Sequence, residues 1–495
     1  MENCRDLASL ISELPSEVLS GDAHCAVRDV VTDSRQVQPD TLFTALRGTH
    51  TDGHLFLSEA LDRGAGVLVV EELPDALWPR VRTEGQTVIR VPDCHRAVAL
   101  MASAYYRHPA RQLSLIGITG TNGKTTTAHV VEAILQAAGE PVGMLGTVDY
   151  RVGAKRLPAP QTTPDATRLH DLLSQMVASG TRYAVMEVSS HALAQERVRG
   201  CSFAVAAFTN LSRDHFDYHG SEAAYFSAKA RLFRDLEAEW HVLNMDDPYG
   251  RVLLQTSHAR PVTYGLASTT TLKPHDVHHG LDGISFVLPT SGGPLALSST
   301  LVGRHNIYNL LAGIGIAQAL GVDAEAIRQG VARLRKVPGR LERVDCGQGV
   351  TVFVDYAHTP AALEQVLSLV RTEAAGRLIT VFGCGGDRDP GKRPLMGQAA
   401  TRISDYTIIT SDNPRTEDPQ RIIDDIVDGL PTPSSGYATV LDRRQAIELA
   451  IATAEPQDTV VIAGKGHEDY QIIGQRRYPF DDREIARAAC HNEKR

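Results

Sequence analysis

Residues 117–127 read GITGTNGKTTT, and this Gly-rich stretch indicates the fold of the chain. An apolar run at 113–118 predicts a strand before it, and apolar residues at helical spacing over 130–138 predict a helix after it. A strand, a Gly-rich turn and a helix in this order are typical of a phosphate-binding loop in an α/β protein. In such a loop Lys124 reaches the β/γ-phosphates and the Thr125 hydroxyl binds Mg²⁺.

The loop departs from the general phosphate-loop pattern at one position. That pattern has glycine five residues before Gly123, where this chain has Ile118, and the glycine stands at Gly120 instead. The alternative interpretation is a Gly-rich turn that binds no ligand. The GKT sequence between a strand and a helix favours the phosphate loop.

Composition limits the class of protein. The chain has 495 residues, 42% hydrophobic and 22% charged, which is typical of a globular protein of about three domains. A formal net charge of −9 argues against a broad nucleic-acid-binding face. No run approaches the ~18 apolar residues of a membrane span, and the first residues lack the pattern of a signal peptide. The seven cysteines are odd in number and form no CxxC pair, so the sequence predicts neither a structural zinc site nor a disulfide framework.

From these features we expect a reduced, cytoplasmic, soluble protein without nucleic-acid or membrane partners. The chain divides into three predicted domains, at residues 1–108, 109–337 and 338–495. Residues 336–339, KVPG, separate the second from the third because Pro-Gly breaks both helix and strand. Strand-like runs alternate with helical stretches in both, which predicts parallel α/β sheets.

Polar side chains in the second domain follow strand-like runs. Glu187 ends the run in MEVSSH, residues 210–215 (NLSRDH) follow the next, and Lys229 lies on a predicted helix. Each alone is typical of a structural polar residue. Together they fall at the edge of the sheet that carries the phosphate loop.

Loops rich in Gly, Asp, Asn or His follow four strand-like runs of the third domain, at 350–354, 378–382, 406–410 and 459–463. Ligands of open α/β sheets bind at the carboxyl ends of strands. Arg388 and Arg415 offer cations for carboxylates, and Glu468 offers an anion for an ammonium group. These loops therefore predict a receptor for an amino acid charged at both ends, although residues 412–415 alone (DNPR) suit an ordinary Asx-Pro turn equally well.

GTNGKTT, MEVSSH and NLSRDHFDYHG resemble segments of the Mur ligase family, which also includes folylpolyglutamate synthases. The resemblance covers nearly the whole chain in the right order. It implies an α/β fold with an N-terminal α/β UDP-binding domain, a central phosphate-loop domain that binds ATP and a C-terminal Rossmann-like domain that binds an amino acid. It also implies a monomeric, ATP-dependent, amide-forming ligase of peptidoglycan synthesis that acts through an acyl phosphate.

For ATP the resemblance implies contacts from the phosphate loop and from three later segments, GRHNIYN, GRLE and DYAH, so that ATP is clamped between the second and third domains. The implied residues are Gly120, Thr121, Asn122, Gly123, Lys124, Thr125, Thr126, Asn306, Asn309, Arg340 and Asp355. From the residues alone, Asn306 suits a helix cap as well. The implied catalytic residues are Lys124, Glu187, His215 and Lys229.

The resemblance also implies two metal sites. Thr125 and Glu187 hold one Mg²⁺, and His215 and Lys229 help to hold a second. A protonated lysine cannot bind a cation, and the resemblance implies that Lys229 is carbamylated.

The first domain contains TDSR at 32–35 and FTALRGTHTDG at 43–53, which alone suit turns. They resemble UDP-binding segments of the family, with departures at Thr49 and Thr51. The implied substrate is UDP-N-acetylmuramoyl-L-alanyl-D-glutamate. Its implied contacts are Thr32, Ser34, Thr49, His50, Thr51, Gln161, Thr162, Thr163, Ser189, Gln195 and Arg197.

GCGGDRD, DNPR and AGKGHEDYQ resemble the members of the family that add meso-diaminopimelate. The implied contacts with this amino acid are Arg388, Asp412, Asn413, Pro414, Arg415, Gly464 and Glu468. The DNPR form is the one associated with diaminopimelate rather than lysine.

Four alternatives remain. A lysine-adding ligase of the same family is disfavoured by Arg415, and a folylpolyglutamate synthase lacks the UDP-type first domain. A phosphate-loop motor or switch protein lacks DNPR and GKGHE. A catalytically inactive UDP-sugar-binding regulator is disfavoured because Lys124, Glu187, His215 and Lys229 are all present.

Overall fold

The structure is a computed structural model that describes residues 4–48, 51–290, 292–346, 349–430 and 436–492. Residues Met1–Pro274, Pro289–Gly293 and Tyr308–Val331 form one compact unit. Residues His275–Leu288, Pro294–Ile307 and Ala332–Arg495 form the other. Within the described ranges, every helix is too short or too polar to reach across a bilayer.

The N-terminal part of the chain folds around a five-stranded sheet. This part of the chain contains seven strands, of which five form that sheet: β1 (Arg5–Asp6), β2 (Glu17–Ser20), β3 (Ala26–Val27), β4 (Asp29–Val31), β5 (Thr41–Thr44), β6 (Val67–Val70) and β7 (Thr87–Arg90). Its helices are α1 (Leu7–Ile11), α2 (Leu57–Asp62), α3 (Trp78–Glu84) and α4 (Cys94–Tyr105), with 3₁₀ turns at Ser34–Gln36, Gly53–Phe56 and Asp75–Leu77.

The strand order of this sheet is β2-β7-β6-β5-β4, while β1 and β3 pair separately. β2 is antiparallel to β7 and the other neighbours are parallel. β6 (VLVV) is buried along its whole length, as expected for a parallel strand covered on both faces. Burying each such side chain stabilises the fold by about 1.5–3 kcal/mol.

The middle of the chain forms an eight-stranded sheet. Its strands are β8 (Ser114–Thr119), β9 (Val142–Leu145), β10 (Asp149–Val152), β11 (Lys155–Pro158), β12 (Tyr183–Glu187), β13 (Phe203–Phe208), β14 (Ala238–Asn244) and β15 (Arg260–Tyr264). Its helices are α5 (Lys124–Ala137), α6 (Ala166–Ala178), α7 (Ser190–Ala194), α8 (Phe216–His219), α9 (Glu222–Arg234) and α10 (Pro248–Gln255), with a 3₁₀ turn at Pro109–Gln112.

The strand order of the central sheet is β11-β10-β9-β12-β8-β13-β14-β15. β10 is antiparallel to both of its neighbours, β9 and β11, and the other neighbouring strands of the sheet are parallel. β8 lies between β12 and β13, and Ile118 pairs with Glu187 on one side and with Ala207 on the other. Because the three strands are parallel, the segments that follow them meet at one edge of the sheet.

A three-stranded sheet and two helices follow: β16 (His275–Gly280), β17 (Gly283–Thr290), β18 (Gly293–Ser299), α11 (Arg304–Ala319) and α12 (Ala324–Arg333). The remaining strands are β19 (Glu342–Asp345), β20 (Thr351–Asp355), β21 (Leu378–Phe382), β22 (Tyr406–Ile409), β23 (Tyr437–Thr439), β24 (Thr459–Ala463), β25 (Tyr470–Ile473) and β26 (Arg476–Pro479). The remaining helices are α13 (Pro360–Glu373), α14 (Lys392–Ile403), α15 (Pro419–Val427), α16 (Arg443–Thr453) and α17 (Asp482–Asn492).

The C-terminal sheet has the order β19-β20-β24-β21-β22-β23, and only β19 is antiparallel. Buried apolar residues cover both of its faces, as in a doubly wound Rossmann-like sheet. β25 and β26 form a separate hairpin. The predicted α/β fold class is therefore confirmed.

One expectation about the cysteines is wrong. Cys346, just after β19, forms a disulfide with Cys490 in α17, and their Cα atoms are 5.0 Å apart. The other five cysteines are free. The pairing could not be predicted from the sequence because 144 residues separate the two cysteines. The packing of α17 beside β19 brings them together.

Candidate active site

The phosphate loop joins β8 to α5. Gly120 and Gly123 have φ angles of 149° and 87°, which favour glycine, and a Cβ at Gly120 would clash with the side chain of Thr209. Lys124 Nζ donates hydrogen bonds to the carbonyl oxygens of Gly120 and Thr121 at 2.8 and 2.9 Å. The ammonium group therefore lies against the loop backbone, where such loops bind phosphate oxygens.

The segment after β13 holds the loop from the neighbouring strand. The Thr121 amide donates to the Asn210 carbonyl at 2.8 Å, and the Asn122 amide donates to Asn210 Oδ1 at 3.1 Å. Thr209 Oγ1 donates to the Asn122 carbonyl at 2.6 Å. Thr126 is buried in the first turn of α5. The segment after β13 thus helps to fix the loop conformation.

Glu187 ends β12 with its side chain turned to the phosphate loop, and the residue is 1% exposed. Its Oε2 accepts hydrogen bonds from Thr125 Oγ1 at 2.9 Å and Thr147 Oγ1 at 3.0 Å, and its Oε1 accepts one from the Thr147 amide at 2.9 Å. A buried carboxylate beside a threonine hydroxyl offers the oxygen ligands that Mg²⁺ prefers.

Lys229 projects from α9 into the same region and is 1% exposed. Its Nζ donates to the Gly120 carbonyl at 2.8 Å and lies 4.5 Å from the ring centroid of Tyr225. Burial, together with the positive charge of Lys124, holds the pKa of Lys229 well below its usual value. Both effects therefore favour the uncharged form of this amine relative to that of an exposed lysine.

His215 follows β13 and has a φ of 54°. Its side chain is 46% exposed, and its Nε2 lies 3.5 Å from Asp214 Oδ2. The ring centroid of His215 is 4.8 Å from that of His191 and 6.2 Å from that of Tyr225. Tyr225 therefore borders both His215 and Lys229.

Arg197 organises several of the residues predicted to hold the muramoyl dipeptide. Its Nη1 contacts Gln161 Oε1 and donates to the Thr163 carbonyl at 3.0 Å. Its Nε and Nη2 donate to Gln195 Oε1 at 3.0 and 2.6 Å. Burial lowers the pKa of Arg197, but a guanidinium remains charged at neutral pH.

The same group of residues is joined to Glu187. Thr163 Oγ1 donates to the Glu187 carbonyl at 2.8 Å and accepts a hydrogen bond from the Ser189 amide at 3.0 Å. Thr162 Oγ1 lies 3.2 Å from Thr147 Oγ1, which itself bonds to the Glu187 carboxylate. The structure thus brings together the predicted dipeptide-binding residues and the predicted metal-binding carboxylate.

A cavity of about 810 Å³ opens beside this network. Thr32, Ser34 and Thr51 line it together with Gln195 and Tyr218. The cavity therefore joins the predicted UDP-contacting segments to one predicted dipeptide contact. The predicted contacts Thr49 and His50 lie outside the described residues.

The loops after β22 and β24 meet in the C-terminal sheet. Asn413 Nδ2 donates to Glu468 Oε2 at 2.8 Å. Lys465, whose side chain is fully buried, donates to Glu468 Oε2 at 3.1 Å and to Asn413 Oδ1 at 3.2 Å. The Asn413 amide and the Glu468 carboxylate are thus held in fixed relative positions.

Hydrogen bonds from β25 fix the DNPR loop. Gln471 Nε2 donates to the Asp412 carbonyl at 2.7 Å, and the Ile472 amide donates to Asn413 Oδ1 at 2.9 Å. Pro414 is buried. A Cβ at Gly464 would lie 2.6 Å from Asp412 Oδ2, so the two loops approach closely at a glycine.

The two predicted arginine contacts lie near the loop after β21. Arg415 has a φ of 50°, and its Nη1 donates to the Gly386 carbonyl at 2.7 Å. Arg388 is exposed, and its Nη1 donates to the Asp387 carbonyl at 3.0 Å. The structure therefore gathers the predicted amino-acid contacts at the carboxyl ends of β21, β22 and β24.

The remaining predicted ATP contacts lie in two regions. Asn309 packs against Gly123, where a Cβ would clash with its side chain. Asn306 lies inside α11 rather than at its cap and donates to the Val302 carbonyl at 2.8 Å.

In the C-terminal unit, the predicted contacts Arg340 and Asp355 are joined through Leu341. Asp355 Oδ2 accepts a hydrogen bond from the Leu341 amide at 2.7 Å. The Arg340 guanidinium lies 5.6 Å from the ring centroid of Tyr356. Burial raises the pKa of the Asp355 carboxyl, and the charge of Arg340 opposes this effect.

Sequence reasoning missed three residues of these sites: Thr147, Tyr225 and Lys465. Tyr225 stands four residues before Lys229, so helical spacing on α9 would have indicated it. Lys465 lies within the quoted AGKGHE segment. Thr147 follows β9, and the parallel pairing of β9 with β12 brings it to Glu187, but the sequence analysis had not predicted a strand at 142–145.

Comparison with known families matches all three parts of the chain. The Mur ligase middle domain matches residues 118–317, the Mur ligase glutamate ligase domain matches residues 339–466, and the Mur ligase family catalytic domain matches residues 27–106. The chain belongs to the Mur ligase family.

Individual relatives are similar over nearly their whole length. A protein of Geobacter metallireducens named UDP-N-acetylmuramoyl-L-alanyl-D-glutamate--2,6-diaminopimelate ligase is 47% identical over 98% of this chain and 97% of its own length. A protein of the same name from Gloeobacter violaceus is 49% identical over 94% of each chain. A solved structure of an enzyme with this name superposes with a TM-score of 0.71 and 34% identity, covering 99% of this chain and 100% of that one.

Proposed function

We propose that this protein is an ATP-dependent ligase that adds meso-diaminopimelate to the D-glutamate of UDP-N-acetylmuramoyl-L-alanyl-D-glutamate. The products are the UDP-muramoyl tripeptide, ADP and phosphate, and the reaction belongs to peptidoglycan synthesis. The observation that carries the proposal is that Asn413, Arg415 and Glu468 lie together at one sheet edge of a Mur ligase. The charges of Arg415 and Glu468 suit an amino acid with charged groups at both ends.

The chemistry requires two steps. A carboxylate oxygen of the D-glutamyl residue attacks the γ-phosphorus of ATP, the bond to ADP breaks, and an acyl phosphate forms. The neutral amine then attacks the acyl carbon, phosphate leaves, and the amine loses a proton to give the amide. Because both reactants of the first step are anionic, Lys124 offsets their repulsion.

Bound Mg²⁺ would supply further positive charge at the phosphates. We propose that Thr125 and Glu187 hold one ion and that His215 and Lys229 contribute to a second. The donors found for the Glu187 carboxylate among the described residues are two hydroxyls and one amide, none of them cationic. A buried carboxylate with neutral donors fits a cation, since burying an uncompensated charge is costly.

Lys229 becomes suitable for a metal by carbamylation. The neutral amine attacks the carbon of CO₂, an N–C bond forms, one proton is released, and the side chain ends in an anionic carbamate. The lowered pKa of Lys229 supports this reaction, because only the unprotonated amine is nucleophilic.

The other predicted contacts follow the same proposal. Thr32, Ser34, Thr51 and Gln195 line a cavity large enough for a nucleotide sugar. Arg197 and its partners would receive the acidic dipeptide. The further ATP contacts at Asn306, Asn309, Arg340 and Asp355 stay predictions, as do the monomeric state and the cytoplasmic location.

We also propose domain boundaries at 1–108, 109–337 and 338–495. The family matches to residues 27–106, 118–317 and 339–466 support them, because each match lies inside one proposed domain.

The test is an ADP-release assay with the UDP-muramoyl dipeptide and diaminopimelate, lysine or ornithine. Diaminopimelate should support the fastest release, and preference for lysine would overturn the proposed amine. Oxygen-18 in the D-glutamyl carboxylate should appear in free phosphate, whereas its appearance in AMP would exclude the acyl-phosphate route.

A further inference from the structure

A fully buried ion pair lies beneath the proposed amino-acid site. Arg443 is the first residue of α16 and Asp482 is the first residue of α17, and both side chains are 0% exposed. Arg443 Nε donates to Asp482 Oδ1 at 2.8 Å, and Arg443 Nη2 donates to Asp482 Oδ2 at 2.7 Å. This is the two-point geometry in which a guanidinium binds a carboxylate best.

Stability alone does not account for a pair of this kind. Moving two charges out of water costs about as much as their attraction returns, and apolar side chains of similar volume often stabilise such a site equally well. The other contacts of Arg443 therefore decide what the pair does.

Those contacts are with the two loops of the proposed site. Arg443 Nη2 donates to the Ala463 carbonyl at 3.0 Å, and Nη1 reaches the Ser411 carbonyl at 3.4 Å. Ala463 immediately precedes Gly464, and Ser411 immediately precedes Asp412. One side chain is thus bonded to the backbone at the start of both loops.

The strand order shows that these hydrogen bonds of Arg443 connect two strands that do not pair with each other. β24 and β22 are not neighbours, because β21 lies between them. Backbone pairing therefore does not fix the loop after β24 directly against the loop after β22. Arg443 bridges the ends of these two strands.

Arg443 also interacts electrostatically with acidic side chains of the proposed amino-acid site. Burial works against the charge of Arg443, but Asp482 outweighs it, and Asp412 and Glu468 add to the rise in the pKa of Arg443. The buried guanidinium therefore contributes positive potential beneath two acidic side chains that are proposed to face the amino acid.

We propose that Arg443, oriented by Asp482, is a positioning residue for amino-acid recognition, which fixes the distance between the DNPR loop and the loop after β24. This inference rests on the proposed function. Arg443 acts through the loops and does not touch the amino acid. Its loss should weaken binding of the amino acid and leave the nucleotide sites unchanged.

The deciding variant is the apolar double substitution Arg443→Met/Asp482→Leu, which removes the carbonyl hydrogen bonds without leaving one charge unpaired. The matched control is Arg377→Met/Asp458→Leu. Arg377 and Asp458 lie just before β21 and β24, at the opposite edge of the same sheet, and Arg377 Nε and Nη2 both donate to Asp458 Oδ2, at 2.9 and 2.7 Å. Both double variants are compared with the unchanged chain in steady-state kinetics and thermal unfolding.

We expect the KM for diaminopimelate to rise about tenfold or more in the Arg443 double variant, since displacing a binding group by about 1 Å is costly. The KM for ATP and for the UDP-dipeptide should stay unchanged in it, and the control variant should lose stability without any change in the KM for diaminopimelate. An unchanged KM for diaminopimelate in a folded Arg443 double variant would overturn the proposal.

Two further measurements keep the test decisive. Should the double variant not fold, Arg443→Lys retains the charge but lacks the planar fork, and the same rise in KM is expected.

Hydrogen exchange of residues 411–416 and 463–468 should become faster in the Arg443 variant and not in the control, and equal exchange in the two would contradict the proposal. Exchange needs no substrate, so a failure of the proposed function in the unchanged chain is distinguishable from a failure of this inference.

Discussion

Thr125 Oγ1 donates a 2.9 Å hydrogen bond to Glu187 Oε2, although the two residues are 62 positions apart in the sequence. One belongs to the first turn of α5 and the other ends β12. The bond aligns a hydroxyl and a buried carboxylate at the mouth of the phosphate loop. Two proposed ligands of one Mg²⁺ are therefore oriented by the protein itself, so that little reorganisation is needed when the ion binds.

Lys124→Ala should lower kcat by about 10²-fold or more, since it removes a preorganised charge from the transferring phosphoryl group. Thermal unfolding should change little because the hydrogen bonds from Lys124 to the Gly120 and Thr121 carbonyls lie within the phosphate loop and outside the apolar core. ADP release and the melting temperature are the measurements. Lys155→Ala, at an exposed lysine of the same unit, is the control. Retained ADP release by folded Lys124→Ala would contradict the role.

Lys229→Ala should also be inactive, and small carboxylates such as acetate should restore part of the activity by occupying the gap. With ¹³C-bicarbonate, a carbamate signal should appear in the unchanged protein and be absent from Lys229→Ala. The pKa of Lys229 is lowered, so the amine is neutral above that lowered value and protonated below it. The signal should therefore weaken as the pH falls, and its absence at pH 8 would exclude carbamylation.

Arg415→Ala should raise the KM for diaminopimelate and leave the KM for ATP nearly unchanged. Loss of a paired charge costs about 2–5 kcal/mol, which corresponds to about thirtyfold or more. Arg415→Lys should not fully rescue, because an ammonium lacks the planar fork. Arg421→Ala, at an exposed arginine of α15, serves as the control. An equal rise in the KM for ATP and for diaminopimelate in Arg415→Ala would mean that Arg415 only supports the loop.

Cys490→Ser should lower the free energy of unfolding by about 2–4 kcal/mol, because the disulfide to Cys346 restricts the unfolded chain. Cys4→Ser, at an exposed free cysteine, should have little effect. Alkylation of the denatured, unreduced protein should label five of the seven cysteines. Labelling of all seven would show that the bond does not form in the purified protein.

The sequence by itself determined the α/β class, the phosphate loop and the positions of the loops proposed to bind the amino acid. These features are local: the alternation of apolar runs and turns fixes the strands, and a parallel strand presents the residue that follows it at a known edge. The sheet edges on which Glu187 and the DNPR segment lie could therefore be predicted from the strand pattern, whereas their roles were implied by the family resemblance.

Only the tertiary structure decided which distant residues meet. The Cys346–Cys490 disulfide, the hydrogen bonds of Thr147 to Glu187 and the buried Arg443–Asp482 pair each join segments whose separation in sequence carries no signal. Their partners are set by strand order and helix packing, which depend on the burial of whole apolar faces rather than on any short motif. The physical reason is that many apolar contacts between distant segments together determine which side chains meet across a sheet. No single residue or short motif is enough to predict such a contact.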